Sequence, residues 1–244
     1  MRIFIDSHVH FYPCYEACWT HQAFRVNTWK HGAGLGVMML AQRDGQEMAD
    51  VRARLAKGPA HSVYVVNGKT VDLPRFETIP GRQIACFERV EILALGTEAV
   101  IRDGCSARNA VRQALDVGAL PVLAWGVGKW LFEREKVVED LLSAYKPSEL
   151  AIGDSSMRPV FWPEPRLMRQ ARNAGYRILH GSDPLPPKSE ENRAGQYGDT
   201  TDTADFDDSK PVTPQILNIL REYPLTTAGK RAGPLEFARR MIGK

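Results

Sequence analysis

The chain opens on the apolar and β-prone run Arg2-Ile3-Phe4-Ile5, which ends in Asp6-Ser7-His8-Val9-His10. Residues two apart on a strand project from one face, so His8 and His10 share a side. A helix is expected from Glu16 to Val26. Gly34 and Gly36 then break the chain before Val37 to Ala41, a continuous apolar run of the kind buried on both faces of a parallel sheet. Gln46 to Lys57 predicts the next helix. Ser62 to Val66 and Thr70 to Leu73 flank Asn67-Gly68, whose tolerance of positive φ predicts a hairpin. Gln83 to Phe87 and Val90 to Leu95 predict two more strands, and Ser106 is placed to cap a helix from Ala107 to Val117.

Strand and helix then alternate. Leu120 to Trp125 reads as a strand, Glu133 to Tyr145 as a helix, Leu150 to Gly153 as a strand and Glu164 to Ala174 as a helix closed by Gly175. Arg177 to Leu179 is a last strand, ending in His180-Gly181-Ser182-Asp183. Repeated strand-helix units imply a parallel sheet. With no Gly-x-Gly-x-x-Gly turn after the first strand, a closed barrel is favoured over a dinucleotide fold. The expected fold is therefore α/β: a distorted, TIM-like β/α barrel of roughly seven strands with an inserted β-hairpin. It is expected to form one domain over residues 1–244. Between Pro184 and Pro214 the character changes, with Glu190, Glu191 and five aspartates from Asp199 to Asp208. So polar a segment is expected to be a mobile loop over 187–210, able to lie over the barrel mouth. Helices from Thr213 to about Tyr223 and from Pro234 to Ile242 make up the C-terminal region 213–244.

Composition narrows the picture only a little. At 244 residues and 43% hydrophobic content the chain can bury one sizeable core. Its 32 basic and 29 acidic side chains leave +3, too even a balance to indicate nucleic acid, which is not excluded either. No apolar run approaches the ~18 residues of a membrane span, and the first strand begins without a signal-peptide pattern, so a cytoplasmic protein is expected. Cys14, Cys18, Cys86 and Cys105 show no framework spacing and read as free thiols. Cys14-x3-Cys18-x2-His21 alone has zinc-like spacing, and burial as free thiols is the simpler reading.

Chemistry in a barrel comes from the C-terminal ends of its strands. There the sequence places His8 and His10, Gln42 and Arg43, Gln83 and Glu91, Trp125, Asp154 and Asp183. Neutral imidazole is the commonest protein ligand for zinc-like ions, and two on one face can share a cation.

The apolar strand ending in Asp-x-His-x-His resembles the start of metal-dependent hydrolases of the amidohydrolase and PHP (polymerase and histidinol phosphatase) superfamilies. Ile79-Pro80-Gly81-Arg82-Gln83-Ile84-Ala85, with Val90-Glu91-Ile92-Leu93-Ala94-Leu95-Gly96, is similar to the PHP pattern I-P-G-x-E-I-S followed by V-H-I-L-G-Y-G. Leu120 to Trp125 is similar to V-A-V-L-A-H, and Gly175 to Leu185 to G-L-x-x-x-x-G-S-D-A-H. These blocks run in the family's order over most of residues 1 to 185. The departures are as informative. Ala41-Gln42-Arg43 stands where the family has T-D-H, Gln83 where it has a bridging glutamate, and Glu91, Trp125 and Leu185 where it has histidines.

An amide bridges cations poorly and Arg43 repels them, so the family's three-metal site is not inherited. His8, His10, Glu91 and Asp183 remain as ligands. Two neutral imidazoles and two carboxylates balance one divalent ion, zinc or manganese. Asp183 or Asp154 is the candidate base, and Arg43, Gln83, Lys129, Arg158 and His180 are candidates to bind an anionic substrate. The resemblance implies a hydrolase of a small phosphoester or C–N substrate working through metal-activated water. The alternatives are a PHP-like scaffold that binds a ligand, protein or RNA without catalysis, and lyase or isomerase chemistry on the same frame.

Overall fold

The computed structural model describes residues 1–58, 63–66 and 69–242. Its first sheet has five strands in the order β12-β11-β1-β2-β5: β1 Arg2–Val9, β2 Leu35–Leu40, β5 Arg75–Ile79, β11 Tyr197–Asp202 and β12 Thr226–Gly229. The second also has five, in the order β10-β9-β8-β7-β6: β6 Gly81–Ala85, β7 Glu91–Leu95, β8 Leu120–Ala124, β9 Ala151–Ser155 and β10 Ile178–Gly181. β3 Val63–Val66 and β4 Lys69–Asp72 pair antiparallel as a separate ribbon, the hairpin expected from the sequence. Its turn residues Asn67-Gly68, together with Ser62 and residues 243–244, lie outside the described residues.

The closed barrel expected from the alternation is not formed. β1 pairs in parallel with β2 on one side and antiparallel with β11 on the other, so both its edges are taken and β10 has no ladder position beside it. β10 and the turn after it meet β1 through local bonds instead of a ladder, among them Asp183 N–H to His8 O at 2.9 Å and Ser7 Oγ to His180 O at 2.6 Å. At the other seam a single parallel bridge, Gln42 to Arg82, joins the sheets. Pro80 has no N–H to continue the ladder there. Gly81 allows the close approach, since a Cβ on it would lie 2.3 Å from the Leu40 carbonyl.

The strand that blocks closure comes from the segment read as a loop. Within 187–210, Glu190–Arg193 form a 3-10 turn and Tyr197–Asp202 form β11. Polar composition misleads here because the polar groups bond to protein instead of water. Asp199 is buried and accepts from the His180 N–H at 2.8 Å, and its Oδ1 lies 2.7 Å from His180 Nδ1. Glu190, also buried, faces Arg193 at 2.6 Å and Arg240 at 2.8 Å.

Helices cover the outer faces. α1 Ala17–Lys30 and α2 Met48–Leu55 pack on the first sheet around Phe4, Phe24, Met38 and Leu40. α3 Ala107–Asp116, α4 Glu133–Ala144 and α5 Arg166–Asn173 pack on the second around Ile92, Leu123 and Ile152. Ser106 caps α3, its Oγ accepting the Asn109 N–H at 3.2 Å. Between the sheets lie Ile3, Ile5, Val37 and Met39 from one side and Leu93, Val122, Ala151 and Leu179 from the other. α6 Val212–Glu222 contributes Ile216, Leu217, Ile219 and Leu220 to that core near the start of β10, where Arg177 donates to the Arg221 carbonyl at 2.8 Å. α7 Pro234–Ile242 completes the chain. Among the described residues no helix is long and apolar enough to cross a membrane.

Candidate metal centre

The end of the first sheet opposite α6 holds the histidine pair. β1 is irregular between Asp6 and Val9, where its register against β2 shifts, a feature common beside functional sites. Asp6 fixes this stretch. Its buried carboxylate accepts from Ser182 N at 2.9 Å, Ser182 Oγ at 2.5 Å and Gly195 N at 2.8 Å, tying β1 to the end of β10. Burial outweighs those bonds and raises the Asp6 carboxyl to about 6. Gly181 lets β10 close on the site, because a Cβ there would lie 2.4 Å from His8 Cβ.

His8 and His10 bring their Nε2 atoms within 3.1 Å of each other, with the rings edge to face at 65°. Asp183 Oδ1 is 3.7 Å from His8 Nε2 and 3.8 Å from His10 Nε2. A triangle with sides of 3.1, 3.7 and 3.8 Å has its centre about 2.1 Å from each corner, within the range of about 2.0–2.2 Å for zinc–nitrogen and zinc–oxygen bonds. The three donors therefore fit a single divalent ion. Asp183 reaches this place in the left-handed backbone region, at φ +48°, from the turn after β10. Gln83 Oε1 lies 3.1 Å from His8 Nε2 and offers a neutral oxygen at the same point. Burial, with the neighbouring His8 second, pushes His10 down to about 3, so its imidazole stays neutral and able to donate its lone pair.

A cavity of ≈ 340 Å³ opens beside these donors. His10, Gln83, Glu91, Asp183, Arg43 and Lys129 line it, with Tyr12 and Trp125. Those six and Trp125, seven residues singled out from the sequence, thus meet in one place. Glu91, expected as a ligand, stands in the cavity wall and is engaged by the ammonium of Lys129, outside the His8, His10 and Asp183 group. Burial and the Asp183 charge raise the Tyr12 hydroxyl, which also bonds to Arg43.

Three other candidates lie elsewhere. Asp154 is buried in a bidentate pair with Arg158 at 2.8 and 2.6 Å, and the Tyr197 hydroxyl donates to it at 3.3 Å. His180, opposite Asp154 in the β9–β10 register, is held by Asp199. None of Asp154, Arg158 and His180 lines the cavity. The Cys14, Cys18 and His21 spacing makes no site: both thiols are exposed, and the His21 ring packs on Phe76 at 4.6 Å. Sequence reasoning gave Asp6 and Arg240 no part in the site. The first was visible in the Asp-x-His-x-His run, whereas nothing local marks the second.

No protein-family model matches the chain, and no curated protein does. Solved structures do match in fold. PsfC from Pseudomonas syringae PB-5123 has a TM-score of 0.52 at 12% identity, covering 90% of this chain and 98% of its own. The lesion-specific endonuclease PfuEndoQ from Pyrococcus furiosus has a TM-score of 0.52 at 15% identity. Endonuclease Q in complex with a 27-mer duplex bearing an abasic lesion has a TM-score of 0.51 at 14% identity. Each of the last two matches covers 94% of this chain, which spans about three fifths of the endonuclease's length. At these identities the likenesses show a shared fold.

Proposed function

We propose that the chain is a metal-dependent hydrolase in which His8, His10 and Asp183 hold one divalent ion, zinc or manganese, against a phosphoester. The observation that supports this reading is the donor triangle, sized for one ion and opening on a cavity that carries two cationic side chains. When bound, such an ion lowers the pKa of water from about 15.7 to about 7 and so supplies hydroxide near neutral pH. The protein's own groups do the rest. Arg43 and Lys129 attract and orient the substrate's anionic group, Gln83 hydrogen-bonds at the same wall, and Glu91 keeps Lys129 in place. Of the two candidate bases, Asp183 lines the cavity and Asp154 does not, so Asp183 is the carboxylate that would take the proton of the attacking water. A C–N substrate would use the same groups.

A second reading, a binding protein without catalysis, is favoured by one observation. Lys129 occupies Glu91, and Arg43 adds another positive charge near His10, which weakens any claim on a cation. Elemental analysis of protein prepared without chelators separates the two, together with hydrolysis assays on aryl phosphates and on phosphodiesters. Since the endonuclease Q complex contains a DNA duplex with an abasic lesion, that substrate belongs among the diesters tested. One equivalent of metal, with hydrolysis lost in His8→Ala plus His10→Ala, supports the hydrolase. Metal-free protein that binds anions or DNA without cleaving them establishes the second reading instead.

A further inference from the structure

A second cavity, of ≈ 180 Å³, shares Trp125 and Gly126 with the one beside His10. Its walls are Trp125, Trp130 and Trp162 with Leu131, Pro165 and Leu167. These residues come from the chain after β8 and after β9, at the C-terminal ends of parallel strands, where ligands bind in α/β folds. The aromatic walls are held in place. Trp130 Nε1 donates to the Ala124 carbonyl at 3.1 Å, and Trp125 meets Trp162 edge to face, with centroids 6.1 Å apart. The Trp162 carbonyl accepts from Arg158 at 3.1 Å and from Arg231 at 3.2 Å, and its N–H donates to the Pro159 carbonyl at 2.8 Å. Two arginines thus fix the loop that carries one wall, so little ordering remains to be done on binding.

The charges at the rim decide what such a pocket takes. Arg166 and Glu135 both line it, and they pair with each other at 2.6 Å, while Arg166 also reaches Glu139 at 2.8 Å. Among the lining residues Arg166 and Glu135 are the two charged groups and they pair with each other, so the lining has no net charge with which to hold an ammonium group. Indole faces and aliphatic walls instead suit a flat, uncharged ring. Size agrees: a cavity of about 150 Å³ admits benzene.

Resting on the hydrolase reading above, we infer that the Trp125, Trp130 and Trp162 pocket is the subsite for a single uncharged aromatic ring carried by the substrate, whose phosphoryl group lies in the neighbouring cavity. The substrate class is then an aryl or arylalkyl phosphoester. Trp125, standing in both walls, is the partition over which the two halves of one molecule lie.

Calorimetric titration of the metal-loaded protein with phenylphosphonate and methylphosphonate tests this, because neither can be hydrolysed. Phenylphosphonate binds at least about tenfold more tightly, the scale of one aromatic stacking contact. In Trp162→Ala the two ligands come within about twofold of each other, while Trp162→Phe, which keeps an aromatic wall and guards against misfolding, retains most of the difference. Equal affinities in the wild-type chain overturn the ring subsite and leave the hydrolase reading standing. If neither phosphonate binds but phenol does, with dependence on Trp162, the pocket stands and the hydrolase reading falls. If phenol fails as well, the subsite is overturned too.

Discussion

Arg240, on the last helix, donates through Nη2 to the backbone carbonyl of Asp183 at 2.8 Å. The Asp183 N–H is bound to His8 O at 2.9 Å, so the residue is clamped on both sides while it holds a left-handed φ of +48°. A non-glycine residue keeps such a backbone only where its surroundings impose it. Arg240 is itself buried, and it also bonds Ser156 Oγ at 2.9 Å and Glu190 at 2.8 Å. Through this side chain the C-terminal helix aims a proposed metal ligand. Arg240→Leu is expected to cost about 3 kcal/mol in denaturant unfolding, since it strips a charge from buried Glu190, which Arg193 holds only in part. In the fraction that stays folded, metal affinity measured by chelator competition falls about tenfold, the scale for losing an outer contact to a ligand. Arg240→Lys recovers part of both. Unchanged affinity in folded Arg240→Leu would show that Asp183 needs no such support.

Metal stoichiometry is the next test. Gln83 offers a neutral amide where a carboxylate would claim a second cation, Arg43 brings a positive charge, and Lys129 engages Glu91. His8, His10 and Asp183 therefore bind at most one tightly held divalent ion. Elemental analysis of the wild type is expected to give up to one equivalent of zinc or manganese, and His8→Ala with His10→Ala none, while circular dichroism is unchanged. Acid release follows from protonation of the imidazoles, which ordinarily occurs near pH 6.5. Burial holds His10 down to about 3, so its lone pair stays available to a cation well below that pH. Two or more ions per chain would mean that Glu91 exchanges Lys129 for metal.

Some of this was legible in the sequence because it is local. The two-residue spacing of His8 and His10 at the end of β1 could be read locally, and the apolar runs at Val37 to Ala41 and Leu120 to Trp125 lie within buried strands or at their ends. The cavity residues Arg43, Glu91 and Asp183 could be gathered because each follows or begins a strand of the core, and Gln83 because it lies within β6 beside that end. Barrel closure could not be read. It depended on whether a polar strand, Tyr197–Asp202, would find hydrogen-bond partners, and those partners lie on β1 and β12, far along the chain. The fate of Asp154 was equally hidden. A carboxylate at a strand end looks catalytic until the fold brings Arg158 and Tyr197 onto it.

That environment makes a prediction of its own. Asp154 is buried, and both of its oxygens are bound by Arg158. Asp154→Asn removes the charge that compensates a buried guanidinium and is expected to cost about 3 kcal/mol of stability. Metal affinity and turnover per folded molecule remain within about twofold, since Asp154 lies outside the cavity. A loss of turnover of a hundredfold or so in folded Asp154→Asn would return the residue to the role of base.

His21 gives the chain a pH-dependent stability that has nothing to do with the site. It is 6% exposed, and neither ring nitrogen has a hydrogen-bond partner among the described residues. Burial first, and then the nearby Arg25, push its pKa down to about 4. In the unfolded chain an imidazole takes up its proton near pH 6.5. Between those two values the unfolded state binds more protons than the folded one, so stability falls as pH falls from about 6.5 towards about 4 and is fully present above 6.5. The loss attributable to His21 is on the order of 2 kcal/mol. His10, held low in the same way, adds to it in the metal-free protein. His21→Leu keeps an apolar side chain against Phe76 and has no proton to bind, so its unfolding free energy should decline less over this window than that of the wild type. Denaturant unfolding of both proteins at pH 7 and pH 4.5 makes the comparison. Parallel losses in the two would show that His21 does not couple folding to protons.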